Sequence, residues 1–448
     1  MSSILIKNGT IVNEGKASRG DLLIKDDSIS AIGIINPEIV PGEVKIINAE
    51  GLIVLPGIID DQVHFRDPGF PHKADIFSET RAAVAGGTTS FMDMPNTDPQ
   101  TVTVKLLEEK YKIGQEKSLV NYSFYIGGTN NNFNELMNVD RGSVCGIKLF
   151  LGSSTGNMLV NDQKTLNKIF ANSSVLIACH CEDEPTVRRN SEIYRQKYGE
   201  DVPVRFHPMI RSRDACYITS SFAVDLARKY NTRLHILHLS TADELKLFNK
   251  ELSLKDKRIT GEVCIHHLWF DDSDYNRLGN LIKWNPAIKT RFDRDSLIYA
   301  VNNDIIDIIA TDHAPHTLEE KTSTYFKAPS GGPLVQHSLV AMLELYHNGV
   351  ITLEKIVEKM CHNPSIVYRI KNRGFIREGY KADICIVDTN DPWTVSKDNI
   401  LYKCGWSPFE GVTFKSRIIS TIVNGEIVYD KGMINEHYRG ERLLFNVN

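Results

Sequence analysis

Eight short apolar runs recur through the middle of this chain, each separated from the next by a longer, more polar stretch. They read LIVLPGIID (52–60), TTSFMDM (88–94), NYSFYIG (121–127), GIKLFL (146–151), VLIACH (175–180), RLHILHL (233–239), ITGEVCI (259–265) and DIIATDH (307–313). Most are rich in β-branched or aromatic residues and are nearly continuous rather than alternating. That is the pattern of parallel strands buried on both faces. Helix-like segments such as SETRAAVAGG (78–87) and SSFAVDLARKY (220–230) lie between them. Eight strands alternating with helices predict an α/β fold of the (β/α)8 TIM-barrel type, with a doubly wound open sheet as the other arrangement that fits the alternation.

The two ends have a different texture. ILIKNGTIV and DLLIKDDSISAIG fall within residues 1–50, and ADICIVD and RIISTIVNGEIVYDKG fall near the C-terminus, where NG between strand-like runs is a hairpin signal. Neither end carries enough apolar surface for its own core. They are expected to pair into one small composite β-sandwich from 1–54 and 376–448, beside a barrel over 55–375. The polar segment HTLEEKTSTYFKAPSGG (316–332) reads as a mobile loop after the last barrel strand.

Charge and composition exclude some partners. A net charge of -4 over 448 residues gives no sign of a polybasic face for nucleic acid or an anionic membrane. The opening MSSILIKNGTIVNEG has no secretory apolar core, and no run reaches the ~18–20 apolar residues of a membrane helix, so a cytoplasmic location is expected. A homo-oligomer acting on a small molecule is expected. The eight cysteines form no CxxC pair and read as reduced packing residues. Cys179 and Cys181 flank His180, and in a strand such neighbours point away from it.

Placing the polar residues on these strands brings out a pattern. His64 lies just past the first strand, Lys148 in the fourth, His180 at the end of the fifth, His238 at the end of the sixth, and Asp312 and His313 at the end of the eighth. A closed barrel gathers these C-terminal ends on one face, where an open sheet would spread them along a line. Imidazole and carboxylate are ordinary ligands for zinc and similar metals. A bound metal would lower the pKa of water towards about 7, and Asp312 could take and return a proton. His235, short of the strand end, reads as a hydrogen-bonded core residue. A buried Lys148 would have a depressed pKa, and its neutral amine could react with carbon dioxide to give a bridging carbamate; otherwise it pairs with a nearby acid.

These residues sit in motifs that carry a resemblance. IDDQVHFRDPG (59–69), FMDMPNT (91–97), GIKLFLGSS (146–154), HILHLST (235–241), EVCIHHL (262–268), KWNPAIK (283–289), ATDHAPH (310–316) and WSPFEG (406–411) resemble the motifs of dihydroorotases in the amidohydrolase superfamily, over essentially the whole chain. The resemblance implies reversible hydrolysis of dihydroorotate to N-carbamoyl-aspartate in pyrimidine biosynthesis. It also implies one or two zinc ions held by His64, His180, His238 and Asp312, with Lys148 as a carboxylated bridge. Asp312 would be the general acid/base. Arg66 would grip the ring carboxylate with two parallel bonds, helped by Asn96 and His316, while Asn285 meets the ring amides. Dihydropyrimidinases and allantoinases are similar in fold and metal motifs but lack this arginine.

Gln62 departs from the pattern, standing at the first histidine of the family's His-x-His pair. An amide oxygen is a weaker zinc ligand than imidazole, so the metal site is expected to be mononuclear or to hold one labile ion. SGGPLVQHS (330–338) also departs, with Pro333 and Leu334 backbone groups expected near the ring, and Trp284 is bulkier than the pattern suggests. Three readings follow: a metal-dependent dihydroorotase, an inactive scaffold for aspartate transcarbamoylase, and a dihydropyrimidinase-like or allantoinase-like hydrolase.

Overall fold

A computed structural model describes residues 3–152 and 158–447. Ser153 and Ser154, the end of the GIKLFLGSS motif, lie outside the described residues.

Eight strand positions form a closed parallel barrel. They are Ile58–Val63, Thr88–Asp93, Asn121–Phe124 continued by Ile126–Gly127, Ile147–Phe150, Ile177–His180, Leu234–Ile236, Ile259–Cys264 and Ile308–Ala310. Each pairs in parallel with the next. The ring closes where Val63 pairs in parallel with His313, and His64 N–H donates to the His313 carbonyl at 2.7 Å. The strands are buried throughout except for Ile259 at the start of the seventh, which accounts for the unbroken apolar runs.

The helices between them start where their caps dictate. Asp75 caps Ile76–Ala85 by accepting from Ser78 N, and Ser212 caps Arg213–Tyr230 by accepting from Ala215 N. All eight cysteines are free thiols, and Cys179 and Cys181 pack into the main core, away from the cleft that His180 lines. No helix among the described residues is long and apolar enough to cross a membrane.

The first apolar run turns out to be two strands. Ile53–Pro56 joins a nine-stranded sheet built from both chain ends, and Ile58–Val63 begins the barrel. Gly57 between them lies against Thr89, and an added Cβ would fall 2.1 Å from the Thr89 hydroxyl. In the terminal sheet, Ile53–Pro56 lies between Ser3–Asn13 and Ile384–Asp388. Beyond Met433–Ile434 the chain leaves this sheet and crosses to the barrel, where Leu443 N–H donates to the Tyr122 carbonyl at 2.8 Å.

The segment 316–332 is packed rather than loose. It contains a short helix, Leu318–Lys321, and two buried ammonium groups tie it down. Lys283 donates to the Tyr325 and Ala328 carbonyls, both at 2.6 Å. Lys321 donates to the Gly331, Pro329 and Lys283 carbonyls at 2.7, 3.0 and 3.2 Å. Backbone carbonyl acceptors leave no side-chain signature, so the sequence showed only polarity.

Candidate active site

A cleft at the C-terminal ends of the barrel strands is lined by Gln62, His64, Lys148, His180, His238 and Asp312, with Arg66, Asn96 and Asn285 among the same walls. His316 borders an adjoining chamber that shares Arg66 and Asn96 with the cleft. Three of these residues hold left-handed backbone: Arg66 (φ 64), His238 (φ 39) and Asp312 (φ 48). Such conformations cost non-glycine residues on the order of 1 kcal/mol or more and persist only where neighbours enforce them. At His238 the neighbour is Glu262, whose carboxylate accepts from His238 N–H at 3.1 Å and whose carbonyl accepts from Leu239 N–H at 2.8 Å. Near Asp312, Thr311 donates to Asp60 Oδ2 at 2.6 Å and accepts from His313 N–H at 3.0 Å.

His180 Nδ1 and His238 Nε2 face each other 2.9 Å apart. Burial lowers the pKa of His180 and lowers that of His238 well below the usual value, which favours the neutral form of both rings. On its far side His180 Nε2 lies 3.2 Å from Glu182 Oε2. Burial would raise the Glu182 carboxyl, but Arg211, which donates to it, and His180 hold it down at about 2. An ionised acid at that distance favours a proton on Nε2 by its charge, which leaves the Nδ1 lone pair facing His238. Two ligands of one zinc at ordinary bond lengths sit about 3.3 Å apart, and a carboxylate behind the imidazole is the usual support. The donor set thus fits a metal ion. Lys148 completes this side of the cleft, its pKa lowered by burial to about 8. Near neutral pH the reactive neutral amine is therefore far more populated than in an ordinary lysine.

The opposite side joins His64, Asp312 and Gln62. His64 Nδ1 donates to Asn96 Oδ1 at 2.8 Å, which turns its Nε2 towards Asp312 Oδ1 at 3.2 Å. A lone pair facing a carboxylate needs a cation between them or a second proton on the ring. Gln62 Nε2 donates to the same Oδ1 at 3.2 Å, and its carbonyl oxygen lies 3.7 Å from the Cys264 thiol. In this geometry Gln62 offers the cleft a donor.

Arg66 is buried, and burial lowers its pKa to about 10. Its Nε donates to the Pro315 carbonyl at 3.0 Å, while its Nη2 lies 3.0 Å from His316 Nε2. Among the described residues no carboxylate lies within ion-pair distance of it. Asp67, its sequence neighbour, is taken by Lys117 at 2.8 Å and by Ile76 N–H at 3.3 Å. Asn285 Oδ1 is buried with no hydrogen-bond partner among the described residues. The bulk of Trp284 has a place: its ring stacks on His266 at 4.4 Å, and its Nε1 donates to the Asp312 carbonyl at 3.4 Å. From 330–338 it is Ser330 and Gly331 that line the cleft. The Leu334 N–H expected near the ring instead donates to His313 Nδ1 at 2.9 Å.

Sequence reasoning missed the layer beneath. His235, expected as a core residue, lies 3.4 Å from Asp61 and 3.2 Å from Glu262, all fully buried. Burial would lower the His235 pKa, but the two acids raise it to about 9. These three side chains also have the spacing to hold a metal ion. Glu182 and Glu262 did have a signal. Glu182 lies two residues past His180, and Glu262 lies two past Thr260, the partner of His235 Nδ1 at 2.8 Å.

The chain belongs to the amidohydrolase family, which matches residues 53–428. Within that family it is a hydrolase of the cyclic amidohydrolase branch. It is 33% identical over 442 residues to the dihydroorotase of Pyrococcus furiosus, covering 98% of this chain and 96% of that protein. It is 31% identical to the dihydroorotase of Methanosphaera stadtmanae, covering 96% of each chain. In fold it is similar to the L-hydantoinase (dihydropyrimidinase) of Arthrobacter aurescens, with TM-score 0.93 at 24% identity and full coverage of both chains. The dihydropyrimidinase of Brevibacillus agri follows at TM-score 0.88 and 23% identity, with 98% of each chain covered.

Proposed function

We propose that this protein is a zinc-dependent dihydroorotase that interconverts (S)-dihydroorotate and N-carbamoyl-L-aspartate in pyrimidine biosynthesis. The observation that carries the reading is Arg66, a buried guanidinium without a carboxylate partner among the described residues, opening onto the cleft that holds Asp312. Dihydroorotate brings the missing carboxylate on its ring. The dihydroorotases at about 30–33% identity support the same substrate.

Lys148, His180 and His238 would hold one ion, and His64 and Asp312 would offer ligands to a second. A bound ion would supply Lewis acidity to the reacting carbonyl and acidify nearby water. The protein's own groups do the rest. Arg66, Asn96 and His316 bind the ring carboxylate and fix the ring's orientation. Asn285 Oδ1 accepts from a ring N–H. Trp284 closes one wall against bulk water. Asp312 takes the proton of the attacking water and delivers it to the ring nitrogen as its bond to C4 breaks. The reverse reaction returns that proton by the same route.

The test is metal content and dihydroorotase activity on one purified sample, before and after chelation and zinc addition. Activity lost with the metal and restored by zinc is expected. A zinc-loaded protein without turnover would leave the scaffold reading, and turnover of dihydrouracil in preference to dihydroorotate would leave the dihydropyrimidinase one.

A further inference from the structure

His316 stands between three groups that one neutral ring cannot all satisfy. Lys73 Nζ lies 3.0 Å from its Nδ1. Arg66 Nη2 and the Ser330 carbonyl oxygen lie 3.0 and 3.1 Å from its Nε2. Burial, with Arg66 and Lys73 alongside, holds the ring's pKa well below the usual value. A neutral imidazole has one N–H and one lone pair. Ammonium and guanidinium groups only donate, and a carbonyl only accepts. A proton on Nε2 satisfies Lys73 and Ser330 and leaves Arg66 donor against donor. A proton on Nδ1 would face the Lys73 ammonium and turn a lone pair on Ser330. Glu320 lies 3.7 Å from Nδ1, beyond hydrogen-bond reach.

We propose that Lys73 is a positioning residue that fixes His316 in its Nε2–H tautomer, so that His316 and Arg66 present only donors to a substrate carboxylate. The inference rests on the proposal that the substrate carries such a group. A carboxylate oxygen reaching both Nη2 and Nε2–H would accept from both, sharing the Nε2–H with the Ser330 carbonyl, and would remove the donor-against-donor contact. Lys73 is itself held in place, since Glu320 Oε1 lies 2.9 Å from its Nζ and Glu320 Oε2 accepts from Thr317 N–H at 3.0 Å. Lys73, Arg66, Asn96 and His316 share the walls of one chamber of about 500 Å³ beside the cleft.

Protein labelled with ¹⁵N-histidine reports the tautomer directly, the His316 signal being identified by its loss in His316→Asn. The proton is expected on Nε2 in the wild type. In Lys73→Met the Nδ1–H form should gain population. The same variant should raise KM for dihydroorotate about tenfold or more, while kcat changes less than about threefold, and Lys73→Arg should restore both the tautomer and KM. A wild-type ring protonated on Nδ1 overturns the assignment, as does wild-type KM in Lys73→Met. The wild-type measurement stands even if Lys73→Met does not fold. A wild type that never turns over dihydroorotate removes the proposed substrate, and the tautomer still decides the role of Lys73.

Discussion

Gln62 and Asp312 meet across the cleft, amide nitrogen to carboxylate oxygen, at 3.2 Å. The side chain standing where the resemblance implies a metal-binding imidazole therefore donates to Asp312, one of the proposed ligands. Gln62→His should raise the zinc content of loaded protein by about one ion per chain. Elemental analysis after gel filtration checks this. Unchanged stoichiometry would mean that Gln62 is not what limits the second ion.

Asp312→Asn keeps the shape of the side chain and removes its proton transfer. The expected outcome is a fall in kcat of about 10²–10⁴. Calorimetric affinity for N-carbamoyl-aspartate should stay within a few-fold of wild type. Near-normal turnover would take Asp312 out of the proton path.

Arg66→Lys keeps the charge and loses the fork. For dihydroorotate, kcat/KM should fall about 10²-fold, and the preference for dihydroorotate over dihydrouracil should shrink in step. Steady-state kinetics on both rings decide it. Equal losses on the two rings would point to a structural defect instead.

Glu182 stands behind His180 and is itself held by Arg211. Glu182→Gln should weaken metal binding about 10–100-fold, as removal of a supporting carboxylate does elsewhere. Competition with a chromophoric chelator measures the change, and unaltered affinity would make Glu182 a partner of Arg211 alone.

The Asp61–His235–Glu262 cluster makes stability depend on pH. The His235 pKa is raised from 6.5 to about 9, and burial with Asp61 nearby raises that of Glu262 well above its usual value. Both groups hold protons more tightly folded than unfolded. Their contribution is therefore complete below the unfolded pKa of each group and is lost as pH rises through the folded one. For His235 that window runs from pH 6.5 to about 9 and is worth at most about 3 kcal/mol. Urea unfolding at pH 6.5 and 9.5 should show the drop, with a shallower one in Asp61→Asn. Equal slopes in the two proteins would show that the cluster does not set the dependence.

The barrel was legible because strands buried on both faces leave unbroken apolar runs, and the residues at their C-terminal ends follow from that geometry. His64, Lys148, His180, His238 and Asp312 could be placed in one cleft on this reasoning alone. The supports could not. Glu262 and Asp61 meet His235 from distant parts of the chain, and only the folded barrel makes them neighbours, while Glu182, two residues past His180, gains Arg211 only in the fold. Lys321 and Lys283 carried no signal in the sequence, because their acceptors are backbone carbonyls. The division of the first apolar run at Gly57 was hidden for a simpler reason, since a strand of the terminal sheet and a strand of the barrel have the same composition.

That division has a consequence for synthesis. Ile53–Pro56 needs Ile384–Asp388 as one of its two sheet neighbours, and more than three hundred residues separate them. At about 5–20 residues per second, on the order of 15–70 s pass before the missing neighbour leaves the ribosome. Through that interval the first strands of the nascent chain present a bare β-edge of apolar character, next to a barrel strand that also lacks its closing partner. A chaperone able to mask an unpaired edge would matter most in that interval, before Ile384–Asp388 emerges.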